Sequence, residues 1–127
     1  MSDLLNTFTV SASGMRAQSA RLRHLSENIA NADTPGYRRK TIPFREVRDG
    51  LGAVETGRVA LSRGDLAEVY DPGHPLADEQ GIYKGSNVDL VIEIADSREA
   101  QRSYDANLKL FDQARQMSQG LLDLLRR

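Results

Sequence analysis

Met1, Phe8, Met15, Leu22 and Ile29 recur every seven residues, and no other feature limits the fold of this chain so tightly. Leu4, Leu25 and Ala32 fall at the companion spacing of three or four, a row interrupted by Ser11 and Gln18. This spacing is that of one long helix, from about Asp3 to Ala32, with a narrow apolar seam. Ser11, Ala12, Ser13, Gly14, Ala17, Ser19 and Ala20 crowd its first half with small side chains, which let a neighbouring helix come close. Gly14 costs a helix roughly 1 kcal/mol relative to alanine, so a packing reason for it is expected.

A second periodic stretch closes the chain. Val91, Ile94, Ala100, Tyr104, Leu108, Phe111, Ala114, Leu121 and Leu125 are spaced by three, four and seven. Ser86 with Asp89 three residues later has the form of a capping box, and a helix is expected from there to about Leu125. Asp105 and Lys109 stand at the i,i+4 spacing that favours an ion pair. At 1.5 Å per residue the two helices reach roughly 45 and 57 Å, whereas a compact globule of this length has a radius of gyration near 14 Å. Two such helices overrun any globule the chain could form. Leu4, Leu5, Phe8, Leu121, Leu122, Leu124 and Leu125 should lie at the open end of a hairpin and gain by meeting other chains.

Between the helices the character changes. Asn31-Ala32-Asp33-Thr34-Pro35-Gly36-Tyr37 is a strong stop, because Pro35 disfavours helical geometry at Thr34 and Gly36 tolerates positive φ. From Arg38 to about Gly85 lie seven of the ten glycines and three of the four prolines. Extended patterns appear at 41–44, 58–62 and 65–70, so a small loop-rich β segment is expected, too poor in apolar residues for a robust core of its own. The fold class is therefore mainly α: long N- and C-terminal helices forming a coiled-coil hairpin, with a small β-rich insertion. The divisions are 1–37, 38–85 and 86–127.

Charge and composition exclude several functions. Seventeen basic and eighteen acidic residues leave a net charge of −1, without the basic bias of a nucleic-acid binder. Segments 1–40, 41–87 and 88–127 carry +3, −3 and −1. There is no cysteine, hence no disulfide and no thiolate chemistry. No apolar run reaches the roughly 18 residues of a membrane span. The start has neither a basic n-region nor a continuous apolar stretch, so a cleaved signal peptide is not expected. His24 and His74 lack metal-ligand spacing, and Asp71-Pro72-Gly73-His74-Pro75 reads as a rigid turn. Arg38-Arg39-Lys40 reads as a solvated or salt-bridging strand start, and His24 as a solvated or interface residue. No phosphate loop, nucleophile elbow or metal cluster accompanies the carboxylates, so no catalytic residue, cofactor site or metal site is expected.

Asn28-Ile29-Ala30-Asn31-Ala32-Asp33-Thr34-Pro35-Gly36-Tyr37-Arg38 resembles the signature of the flagellar rod and hook proteins, in which an N-terminal helix ends in an Ala-Asn-x-x-Thr-x-Gly-Tyr run. The stretches 69–78, 85–91 and 99–107 resemble the proximal-rod branch of that family. Ser86, where relatives often have proline, and Ile92-Glu93-Ile94 depart from its usual pattern. The resemblance implies a non-enzymatic subunit of the basal-body rod, exported through the flagellar type III channel and polymerised in the periplasm into a hollow shaft that transmits torque for motility. It implies as partners copies of the same chain, the rod proteins FlgB, FlgF and FlgG, the adaptor FliE and, in transit, the export apparatus. It implies that in the motif Asn28, Ala30, Asn31, Thr34, Pro35, Gly36 and Tyr37 the Asn, Thr and Tyr side chains fix the helix exit and touch a neighbouring subunit. The expected intersubunit seam is Leu4, Phe8, Met15, Leu22, Leu25, Ile29, Tyr104, Leu108, Phe111, Leu121 and Leu125. The alternative reading is a soluble coiled-coil adaptor or export chaperone acting as a small oligomer.

Overall fold

A computed structural model describes residues 2–48 and 50–126. Helix α1 (Ser2–Ala30) and helix α2 (Leu90–Leu125) flank six short strands: β1 (Lys40–Thr41), β2 (Phe44–Glu46), β3 (Val54–Thr56), β4 (Ala60–Leu61), β5 (Glu68–Tyr70) and β6 (Ile82–Lys84). The helices are 29 and 36 residues long, roughly 44 and 54 Å at the standard rise. Met1, first in the seven-residue row, and Arg127 lie outside the described residues.

The helices pack antiparallel. Phe8 meets Phe111 edge to face with ring centroids 5.0 Å apart. Further along α1, Gly14 faces Asn107, Arg21 reaches Glu99 and Asp96, and Asn28 bonds Glu93. Partner numbers fall along α2 as they rise along α1. Gly14 has the expected packing reason: a Cβ there would stand 2.7 Å from the Asn107 amide.

The centre of the interface differs from a row of large apolar knobs. Its fully enclosed side chains include Ser11, Asn28, Glu93, Ala100 and Ala114. Ser11 satisfies its hydroxyl on the Thr7 carbonyl at 2.7 Å, so it can be buried without an interhelical partner. Small side chains at the centre bring the axes together and leave the bulky ones on the flanks, partly uncovered.

The insertion forms three separate two-stranded antiparallel ladders, β1–β4, β2–β3 and β5–β6. Ile42-Pro43 divides the expected strand at 41–44, since proline cannot donate to a ladder. Val54–Thr56 pairs with β2 and Ile82–Lys84 with β5, both outside the expected extended stretches. The β2–β3 hairpin rests on α1, where Ser13 Oγ accepts the Val54 N–H at 3.1 Å. Among the described residues of the insertion, Ala53 is the buried hydrophobic side chain, in keeping with a weak core.

The α2 N-terminus is a correction. Asp89, not Ser86, is the N-cap, and its carboxylate accepts the Val91 N–H at 3.0 Å. Ser86 instead donates to the Ala32 carbonyl and ties the two helix ends together. Asp105 accepts from Gln101 at 3.1 Å, and no ion pair with Lys109 forms among the described residues.

Candidate functional site

The chain re-enters the hairpin at its closed end, and there the side chains form a buried polar clasp. Asn28 is fully enclosed and uses every donor and acceptor it has. Its Oδ1 accepts the Tyr37 hydroxyl at 2.9 Å and the Lys40 N–H at 2.8 Å. Its Nδ2 donates to the Lys40 carbonyl at 3.0 Å and to Glu93 Oε2 at 3.2 Å. The Asn28 amide thus pairs with the Lys40 backbone as a strand would, and holds β1 against the helix.

Glu93, also fully enclosed, receives the Arg39 guanidinium on its other oxygen, and Arg39 extends to Asp96 at 3.4 Å. Asn87 accepts the Arg39 N–H at 2.6 Å and donates to the carbonyls of Ser62 and Gly64. Arg38 donates to those same two carbonyls. Lys40 Nζ meets Glu27 Oε2 at 2.6 Å. Arg39 and Lys40 of the basic triplet form ion pairs, whereas Arg38 bonds backbone carbonyls. The bond from Lys40 holds the Glu27 carboxyl below the ordinary range against a smaller opposing effect of burial, and raises Lys40 in turn. Burial raises the Tyr37 phenol, and the bond to Glu93 raises Arg39.

The helix exit is built as its sequence requires. Asn31 Nδ2 donates to the Glu27 carbonyl, Thr34 Oγ1 donates to Asn31 Oδ1, and Gly36 takes φ +74°. Ala30, Thr34 and Pro35 are exposed, so only part of the signature is enclosed. His24, expected to be solvated or at an interface, is buried within the chain beside β1, where the insertion folds over that face of α1.

Of the expected seam, Leu25 is buried. Leu4, Phe8, Met15, Leu22, Tyr104 and Phe111 are half-buried, and Ile29, Leu108, Leu121 and Leu125 are exposed, Leu125 at 82%. Leu121 shares a hollow with Leu4, Thr7, Ala114 and Met117, and Leu122, Leu124 and Leu125 are exposed in the last turns of α2. The structure therefore encloses only Leu25 of this seam, covers its middle in part and leaves the last turns of α2 open.

The turn Asp71-Pro72-Gly73-His74-Pro75 opens the loop between β5 and β6, where His74 stacks on Tyr83 at 3.9 Å. Sequence reasoning missed Glu27, Arg39, Asn87 and Glu93 as parts of one cluster. The signal for Glu93 was present: a charged residue seven before Ala100 in the enclosed row of α2 needs a buried cation partner.

Two family patterns match the chain. One, described as flagella basal body rod protein, covers residues 8–38, and the other, the C-terminal pattern of the flagellar basal body rod proteins FlgEFG, covers 79–124. The chain is 48% identical to the flagellar basal-body rod protein FlgC of Agrobacterium fabrum, across 92% of this chain and 91% of that one. It is 37% identical to FlgC of Salmonella typhimurium across 90% and 92%, and 36% identical to FlgC of Aquifex aeolicus across 87% and 89%. With both helices, the helix exit and the intervening segment matched at this level, the chain belongs to the FlgC family of flagellar basal-body rod proteins, structural subunits of the rod rather than enzymes.

Proposed function

We propose that this subunit polymerises, with copies of itself and with the rod proteins FlgB, FlgF and FlgG and the adaptor FliE, into the hollow periplasmic drive shaft, after passage through the flagellar export apparatus. In that assembly residues 1–37 and 86–127 form the inner coiled-coil layer, and residues 38–85 stand outside it as an arm held by the clasp. The exit residues Asn28, Asn31, Thr34, Gly36 and Tyr37 set the angle at which the arm leaves.

One observation carries the proposal: the apolar flank and end of the hairpin, from Leu108 through Leu121, Leu122, Leu124 and Leu125, remain open to solvent. Large apolar side chains at that density gain about 1.5–3 kcal/mol each on full burial. Neighbouring helices supply that burial in a lattice where each contact is weak and many share the load.

Deleting residues 121–127, or replacing Phe8 with Asp, is expected to abolish incorporation into isolated basal bodies and swimming, while the 38–85 arm keeps its proteolytic protection. Normal incorporation and motility of either variant would refute the proposal. Sedimentation at rising concentration, with the other rod proteins present, should show open-ended growth. A plateau at a dimer would instead identify an adaptor or export chaperone.

A further inference from the structure

The loop between β5 and β6 is held rigid by its own hydrogen bonds, yet part of the apolar surface there stays uncovered. The Asp71 N–H donates to the Gly81 carbonyl at 2.8 Å, the Asp78 N–H to the Ile82 carbonyl at 2.9 Å, and the Gly81 N–H back to Asp78 at 3.0 Å. The Asp78 carboxylate accepts two more backbone donors, from Gln80 and Ile82. The Leu76 N–H is fixed to His74 Nδ1 at 3.1 Å, and that imidazole lies flat on Tyr83. Gly81, at φ +79°, lets the chain close tightly over Pro72 and Tyr70. Yet Leu76 is 63% exposed and Tyr70 73% exposed. A loop whose backbone bonds are satisfied internally needs no apolar side chain on its outer surface. Rigidity of this kind lowers the ordering cost of binding. Asp71, Asp78 and Glu79 surround the knob, which holds no Lys or Arg between Tyr70 and Gly81.

A surface of opposite character lies on the outer side of α2. Val91, Ile94 and Ala95 line a shallow hollow of about 410 Å³, with Arg98 and Arg102 at its edge. Val91 is 76% exposed, and neither arginine forms an ion pair among the described residues. Resting on the reading of this chain as a polymerising rod subunit, we infer that the 70–79 knob of one copy docks on the Val91–Arg102 face of a second copy, Leu76 entering the apolar hollow and Glu79 and Asp71 facing Arg98 and Arg102.

The two surfaces differ, so the contact is head-to-tail. Repeated, it builds an open helical filament rather than a closed dimer. A knob of ten residues is smaller than the roughly 20–30 residues a side of a stable interface. It acts only together with the helix contacts, as a register device that relates one arm to the next hairpin.

The test is photo-crosslinking in assembled basal bodies. A benzoylphenylalanine placed at Leu76, an exposed position, should incorporate into rods and on irradiation form an adduct within residues 90–102 of another copy. Arg102→Glu should lower the number of copies recovered in basal bodies by about fivefold, and adding Glu79→Arg should restore them. Adducts on a different protein, adducts elsewhere on this chain, or no adduct from incorporated chains would overturn the docking while leaving the rod assignment intact. Failure of the unsubstituted chain to enter basal bodies would sink the rod assignment itself.

Discussion

Replacing Asn28 with Ala removes four hydrogen bonds from one fully enclosed position and leaves the Tyr37 hydroxyl, both Lys40 backbone groups and one Glu93 oxygen short of a partner. A typical intramolecular hydrogen bond is worth about 1 kcal/mol net, and a buried group left unpaired costs about 1–3 kcal/mol. Water entering the vacated space offsets part of this, so the expected loss is about 3–5 kcal/mol. A domain of this length has roughly 6–19 kcal/mol in all. In urea, with a slope near 2 kcal/mol/M, the far-UV circular dichroism midpoint should fall by about 2 M. Asn28→Asp distinguishes this mechanism from simple loss of volume. It keeps the acceptor for Tyr37 and the Lys40 N–H, but places a second carboxylate beside Glu93, where a donor stood 3.2 Å away. It should be at least as destabilising near neutral pH, recover partly as the pH falls, and recover further in combination with Glu93→Gln. A loss below about 1 kcal/mol for Asn28→Ala, or an Asn28→Asp variant as stable as the unsubstituted chain, would refute the view that this amide holds the arm to the hairpin.

Other substitutions probe separate contacts. Gly14→Ala should destabilise by about 1–2 kcal/mol despite its better helix propensity, since its Cβ meets the Asn107 amide, and Asn107→Ala in the same chain should reverse the loss; thermal melts of the four variants check this. The edge-to-face pair of Phe8 and Phe111 should give a coupling of about 0.5–1.5 kcal/mol in a double-mutant cycle to leucine. For Glu27 the folded carboxyl lies below its unfolded value, so its contribution is present above the unfolded pKa and is lost as pH falls through the folded one. For Lys40 the folded value is raised, so its contribution is present below the unfolded pKa and fades as pH rises through the folded one. The melting temperature of Glu27→Gln should thus lie below that of the unsubstituted chain between about pH 5 and pH 10 and converge with it in acid. An equal deficit at all pH values would argue against the Lys40 pairing.

The two helices were legible because a seven-residue repeat sustained over about thirty residues has only one regular backbone that keeps it on a single side. The stop at Thr34-Pro35-Gly36 was legible for an equally local reason. Four strands, β1, β2, β4 and β5, touch the expected extended stretches, but β3 and β6 were not legible, since Val54–Thr56 and Ile82–Lys84 are held by partners on other segments, β3 also by α1, and a two-stranded ladder takes its stability from what it rests on. Ser86 shows the same limit. The spacing to Asp89 fits a capping box, but the Ala32 carbonyl across the hairpin takes the hydroxyl instead. The clasp draws Asn28 from α1, Tyr37 and Arg39 from the connection, Lys40 from β1 and Glu93 from α2, so no window of sequence contains it.

The two ends of the hairpin obey opposite rules, and the difference bears on how such a subunit carries load. At the closed end directional bonds fix the arm, and Asn28 and Glu93 are wholly withdrawn from solvent. Groups of that kind tolerate little displacement, because each bond weakens steeply with distance and angle. At the open end the side chains are leucine and methionine, non-directional and only partly covered. Apolar contacts keep most of their energy when helices slide by a fraction of a turn. A shaft built from such subunits would yield along its helical layer while each arm kept its angle to its own hairpin. Loosening the clasp through Asn28→Ala should therefore lower torsional stiffness before it lowers subunit incorporation. Trimming the leucines of the last turns should do the reverse. Rods that lost incorporation and stiffness in equal proportion under both changes would show that the two ends are not separable.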